Sequence, residues 1–420
     1  MTAIQSPPIR SRTLIDRDPV VDLVRSVSLV IVVLLHAAMT GVHIGADGLV
    51  IGNALEAHAG FAALSWALQV MPLFFAAGGF TALSQWRRMR VRGATPAQFV
   101  RSRVERLAVP ALAMIGTVVV VLAALAVLGV PGELVHEIGY RIGQPLWFLA
   151  VFILASCLVP ALAAAHERAP RLTLGLLIGA AVAVDVAARS TGIEGIGFLN
   201  LAFVWLAVQQ LGFFWRDGRI HSGRRALGTA AGGYAVMALL VAVGGYPLDM
   251  LVGNNNPPTV ALIALGIAHL HLVVAAAPTL RRLAERGATP VAWVGARAMT
   301  VYLWHMPVSI VLVAVLLGAG VHLPEPLSDD WWAGRGVWLA AVLTLSLVAA
   351  NRLHVLERLL SPATGRAALL PTASGAVLAT AGVTTLLVGG FAGETGVIAV
   401  ALLAGGLTLA RRSGRNAVAV

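Results

Sequence analysis

The sequence predicts an all-α fold, a polytopic integral membrane helix bundle of about 12 transmembrane helices, and three observations predict it. The 420 residues are 58% hydrophobic and only 12% charged, where a soluble domain carries about a quarter charged residues. Ten or more apolar runs of about 17–22 residues occur, each long enough to cross a hydrocarbon layer of about 30 Å. The basic residues gather in alternate connections between these runs. Backbone groups in lipid must pair within the segment or in a closed barrel. Runs this long and uniformly apolar exclude barrel strands, which alternate in polarity.

Taken in order, the first four spans are Val20–Thr40, Phe61–Gln85, Leu107–Val130 and Pro145–Ala165. Leu172–Ala188, Gly195–Trp215, Leu227–Gly245 and Pro258–Pro278 follow. Ala298–Ala319, Gly336–Val355, Ala373–Gly390 and Glu394–Ala410 complete the set. An even number puts both ends on one side. With the N-terminus inside, all but three of the thirty basic residues fall on inner segments; every one is arginine, and the exceptions are Arg141, Arg189 and Arg335. Arginine-rich short loops mark the cytoplasmic side, so both termini are expected there. No small-residue cleavage pattern follows the first span, which reads as a retained helix.

Net charge +11 therefore reports topology and not nucleic-acid binding. The single cysteine, Cys157, lies in an apolar run, which excludes a disulfide framework or a thiolate metal site. The segments Gly41–Gly60, Pro131–Gln144, Tyr246–Pro257 and Val321–Arg335 read as outer loops, with Trp331 and Trp332 in the interfacial aromatic belt. Residues 366–420 read as a final hairpin and short tail, plain in chemistry. No P-loop, Gly-x-Gly-x-x-Gly, His-Glu-x-x-His or Gly-x-Ser-x-Gly occurs, which disfavours nucleotide hydrolysis and a serine-hydrolase mechanism.

Ionisable residues inside spans are costly and mark function. The first span carries Asp22, Arg25 and His36. Eleven residues separate Arg25 from His36, which returns to the same helical face within about 20° and about 16 Å further along. One face thus presents a cation on the inner side and an imidazole on the outer. The second span contains the small-residue segment Met71–Phe80, where close helix packing is the plain reading and Pro72 is expected to free a carbonyl. Arg103 and Arg106, three apart at the start of the third span, share a helical side. They suit either anionic lipid or a phosphorylated ligand, because arginine donates two hydrogen bonds at once to phosphate. Further along come Gln144-Pro145-Leu146-Trp147-Phe148-Leu149, the polar turn Asn254-Asn255-Asn256-Pro257-Pro258-Thr259, and Val301-Tyr302-Leu303-Trp304-His305-Met306-Pro307. His305 falls about a third of the way in from the cytoplasm, and Glu357 at the inner end of the tenth span is placed to pair with an arginine.

Together these motifs resemble the membrane-bound acyltransferase family 3, which O-acylates carbohydrates and related acceptors. The resemblance rests on Asp22-x-x-Arg25 with His36, the small-residue segment Phe74–Phe80, and Arg103-x-x-Arg106-Leu107 with Pro110. It rests equally on Leu146–Leu149, the Asn254–Thr259 block and Tyr302–His305 with Pro307, all in family order over residues 20–358. Two departures stand out. The family often closes its core with Glu-basic-Pro, whereas Leu359 follows Glu357-Arg358. Its usual core has ten helices, which makes the last hairpin an addition. The expected organisation is a cytoplasmic arm at 1–19, an acyltransferase-3-like core at 20–360, and the additional hairpin with its tail at 361–420.

The resemblance implies an enzyme that moves an acyl group, acetyl first of all, from a cytoplasmic acyl-CoA-type donor to a hydroxyl of an extracytoplasmic glycan or glycosylated metabolite. It implies acyl-CoA as cosubstrate, no permanently bound cofactor and no metal, and residence in the plasma membrane. His36 is the expected general base and Arg25 its catalytic companion, with an acyl-histidine intermediate left open. Arg103, Arg106, Tyr302, His305 and Glu357 are expected on the donor side, and Trp147, Asn254, Asn255, Asn256 and Thr259 on the acceptor side. The alternative is a multi-pass exporter of an acylated compound, whose path the same polar residues would line; no repeat between halves supports it.

Overall fold

The structure is a computed structural model and describes residues 18–412 apart from 46, 47, 57, 359, 361 and 362. The expected inner arginines Arg10, Arg12, Arg17 and Arg415 and the departure at Leu359 lie outside the described residues. The chain runs through α1 (Pro19–Met39), β1 (Thr40–Gly45), β2 (Gly48–Asn53), α2 (Ala59–Leu68), α3 (Met71–Val91) and α4 (Pro96–Val127). Next are α5 (Gly132–Gly143), α6 (Trp147–Cys157), α7 (Val159–Arg168), α8 (Pro170–Thr191), α9 (Glu194–Gly197) and α10 (Asn200–Arg216). Then come α11 (Gly223–Ala242), α12 (Val260–Ala275), α13 (Ala277–Arg286), α14 (Ala288–Ala296) and α15 (Ala298–Gly318). The described chain ends with α16 (Asp329–Leu353), α17 (Leu369–Gly389) and α18 (Glu394–Arg412). Among the described residues eleven helical segments are long and apolar enough to cross a membrane, or twelve if α12 and α13, bent by 71°, count as one. The chain is a multi-pass all-α membrane protein, as its sequence predicts.

Local chemistry sets the helices that matter for the site. Asp18 caps α1 by accepting from Val20 N, with Pro19 opening the first turn, where no backbone donor is needed. Thr95 and Gln98 form a capping box at the start of α4, again with a proline inside the first turn. Thirty-two residues make α4 about 48 Å long, so it outlasts the hydrocarbon layer, and its first turns carry Arg101, Arg103 and Arg106 on the arginine-rich side. Helix α3 packs on α10 through glycine. A Cβ at Gly79 would lie 2.2 Å from the Gln209 carbonyl oxygen, and one at Gly212 would lie 1.9 Å from that of Ala76. The small-residue segment is therefore a packing device.

Four expectations change. Gly41–Gly60 is not wholly loop, since β1 and β2 form an antiparallel hairpin from Thr40↔Asn53 to Gly45↔Gly48. Val42, Val50 and Ile51 are β-branched and favour strand, although Gly, His and Asp between them read as loop. Pro131–Gln144 is mostly helix, α5, held by a Glu137–Arg141 ion pair of 2.6 Å one turn apart. Pro72 frees no carbonyl, because the chain breaks at Gln69–Val70 and Pro72 sits in the first turn of α3. Trp331 leaves the interfacial belt: it is 4% exposed, packed with Leu35, Leu55 and Phe61, while Trp332 is 49% exposed.

The three exceptional arginines each donate to backbone carbonyls at helix ends or between helices. Arg141 donates to Ile51 O of the hairpin, and Arg189 to the carbonyls of Gly244 and Gly245. Arg335 Nη2 lies 2.8, 2.6 and 2.6 Å from the carbonyl oxygens of Ala37, Ala38 and Thr40. These carbonyls at the end of α1 have few partners within the helix. The hairpin α17–α18 packs on α4 and α6, with Phe391 1% exposed at its turn.

Candidate active site

Two helices present regular stripes to one cavity of about 240 Å³. From α1 come Arg25, Leu29, Val32, His36 and Met39; from α3 come Phe74, Gly78, Thr81 and Gln85. Both series advance by alternating steps of three and four residues, the spacing of one helical face. The cavity also reaches Arg103 and Arg106 of α4, Trp147 of α6, Tyr302 of α15, Glu357 after α16, and Asn255 in the loop before α12. A second cavity of about 250 Å³ shares Arg25 and Arg106 and adds Asp18, Asp22 and Arg88 at the arginine-rich mouth.

The arginine end concentrates positive charge. Arg103 feels the charges of both Arg106 and Arg25. Arg25 Cζ lies 5.9 Å from the Phe74 ring centroid and Arg103 Cζ 5.2 Å from that of Phe99. Arg103 Nε is buried without a hydrogen-bond partner among the described residues, so a donor of the guanidinium fork remains available to an anion. Glu357 Oε1 accepts from Thr300 N at 3.0 Å and from Thr300 Oγ1. Glu357 thus caps the first turn of α15, a use that its expected pairing with an arginine did not foresee.

At the far end His36 Nδ1 lies 2.9 Å from Val32 O. A carbonyl oxygen only accepts, so Nδ1 carries the hydrogen and Nε2 keeps the lone pair. His305 sits beside it, ring centroids 5.0 Å apart, with its Nδ1 2.6 Å from Tyr302 O and its Nε2 unpartnered among the described residues. This corrects the expected place of His305: it does not line the cavity with the arginines and stands at the level of His36. Tyr302 lines the cavity and donates to Pro145 O at 2.8 Å, which ties α15 to the turn before α6. Trp147 packs against Trp205, 5.3 Å between centroids.

The asparagine turn divides. Asn254 is fully buried, its Nδ2 donating to Pro247 O at 2.6 Å and Asp249 O at 2.8 Å while its Oδ1 accepts from Thr259 Oγ1 at 2.7 Å. Asn254 and Thr259 therefore hold the loop together and are not free for a ligand. Asn256 is exposed and does not line the cavity. Asn255 alone reaches it, with Oδ1 buried and unpartnered among the described residues. The sequence reading missed Thr81 and Gln85, whose signal was present as two polar residues one turn apart following the apolar first half of α3. No cluster of three metal-ligating side chains occurs among the described residues.

The membrane-crossing helices thus enclose a cavity that runs from three arginines to an imidazole. Residues 18–351 match the acyltransferase 3 family model, described as an acyltransferase domain. The chain belongs to this family and is a membrane acyltransferase. No curated protein and no solved structure matches it significantly. The matched stretch ends before Glu357 and before the α17–α18 hairpin.

Proposed function

We propose that this acyltransferase moves an acyl group, acetyl in the first instance, from a cytoplasmic acyl-CoA to a hydroxyl of an extracytoplasmic glycan or glycosylated metabolite. The observation that carries this reading is the single cavity with Arg25, Arg103 and Arg106 at one end and His36 at the other. The arginines hold the donor's phosphates from the cytoplasm, the side on which both termini lie in the plasma membrane. The pantetheine arm, on the order of 15–20 Å, matches the rise of about 16 Å between Arg25 and His36. Its thioester then lies beside the imidazole.

The acceptor oxygen attacks the thioester carbonyl carbon while His36 Nε2 takes the hydroxyl proton. The tetrahedral adduct collapses, the carbon–sulfur bond breaks, and the electron pair leaves on sulfur. The sulfur takes the proton from His36, which yields the ester and free CoA thiol and returns the imidazole to its neutral form. Neutral imidazole suits this exchange near pH 7. Trp147 and Asn255 shape the end of the cavity near the acceptor, and Glu357 and Tyr302 fix α15 along the donor arm.

The test uses membranes with matched protein levels. His36→Ala is expected to lower acyl transfer by about 10²-fold or more, the usual contribution of a general base; undiminished transfer would remove His36 from catalysis. Arg25→Ala is expected to raise the KM for donor about tenfold, as loss of a charge-assisted contact does, and to leave the KM for acceptor unchanged. An unaltered dependence on donor concentration would sink that assignment.

A further inference from the structure

A third cavity, of about 70 Å³, opens on the side of His36 away from the arginines. His36 and Met39 line both this space and the large cavity, so the imidazole stands in the partition between them. Its walls come from four places that the sequence reading treated as unrelated: the end of α1, the β1–β2 hairpin, α5 with Gln144, and α15. The α15 wall is mainly apolar, with Met306, Ile310 and Val313 along one face, and Val42 and Ile51 on the hairpin and Ile138 on α5 extend that apolar lining. Polar groups are few and most are occupied. Arg141 is engaged by Glu137 and Ile51 O, Ser309 Oγ donates to His305 O, and Thr40 Oγ1 donates to His36 O. Gln144 and the amide nitrogen of Asn53 remain, the Asn53 Oδ1 already accepting from Leu55 N.

We infer that this outer cavity is the acceptor's vestibule and that it selects an amphiphilic acceptor, a hydroxyl carried on an apolar body such as an alkyl or aglycone-bearing glycoside. The inference rests on the acyl-transfer reading and narrows its substrate class. A hydrophilic sugar inside walls of valine, isoleucine and methionine would lose water contacts that so few free polar groups replace. An apolar body instead gains from leaving water there, and it would bring one hydroxyl to His36 from the side opposite the donor. The narrow space suits one slender arm of a molecule. Polar recognition is confined to Gln144 and Asn53, as expected of a site that orients a mainly apolar ligand with few polar contacts.

The experiment uses the purified full chain in nanodiscs, n-hexyl β-glucoside as probe, and glucose and dextran as apolar-free counterparts. Binding is measured calorimetrically and acetyl transfer is measured separately, so the vestibule and the catalytic reading fail independently. Hexyl glucoside is expected to bind the wild type at least tenfold more tightly than glucose or dextran. His36→Ala, read in the transfer assay alone because its imidazole also lines the vestibule, should lose transfer. Ile51→Trp from the hairpin wall and Ile310→Trp from the α15 wall each fill the cavity, and each should weaken hexyl glucoside binding about tenfold or more while acetyl-CoA binding, which also reports folding, is retained. Equal binding of glucose, or wild-type binding in both filling variants with acetyl-CoA binding intact, would overturn the vestibule. Transfer that survives in His36→Ala would overturn the catalytic assignment and leave the vestibule standing.

Discussion

His36 and His305 come from helices far apart in sequence and meet at 5.0 Å, each with Nδ1 held by a carbonyl of its own helix. This leaves Nε2 as the nitrogen of His36 that can take a proton. Its helix end is fixed in turn by α16, because Arg335 and Trp338 both donate to carbonyls within the four residues after His36. Arg335→Ala is expected to cost about 1.5–3 kcal/mol, the worth of hydrogen bonds from a charged donor. The loss should be read as a lower Tm in detergent and a lower kcat with the donor KM unchanged, and Arg335→Lys should restore part of it. An unchanged Tm and kcat would show that α1 ends correctly without it. His36 and Arg25 were legible in the sequence because their spacing is local to one helix. The role of Arg335 was not, since its partners lie some 300 residues away and only folding brings them together.

Between the residue and the whole stand the two striped helices. The lengths of the apolar runs revealed α1 and α15 almost to their ends and α10 at its C-terminal end, because a bilayer imposes a minimum length that composition records. The β1–β2 hairpin and α5 escaped the same reading: both are short, both lie between spans, and their polar residues look like loop. These two elements wall the third cavity, so the part of the site proposed for the acceptor was the least legible. The contact of α3 with α10 is the one that sets the cavity's back wall. Gly79→Leu would drive a side chain into the Gln209 carbonyl. Overpacking of this kind costs about 1–3 kcal/mol, and the variant is expected to melt lower and to lose transfer; a thermal midpoint like that of the wild type would mean that α3 and α10 separate at no cost.

Across the whole molecule the arginine asymmetry and the cavity share one axis. Arginine-rich connections alternate along the sequence, and Arg25, Arg103 and Arg106 bring that charge to the first cavity. The exceptional three are engaged with backbone carbonyls, which explains how they sit against the general bias. The α17–α18 hairpin lies beyond the family match and buttresses α4 and α6; nothing in its chemistry joins the site. The division of donor side from acceptor side is the account's central claim, and sidedness in proteoliposomes of a single orientation tests it most directly. Labelled acetyl-CoA is supplied on the arginine-rich face and hexyl glucoside on the other, then the two are exchanged. Labelled ester is expected only in the first arrangement, and it should accumulate on the face opposite the donor. Equal product after the exchange, or product formed only when donor and acceptor share a face, would contradict a cavity that passes the acyl group through the membrane.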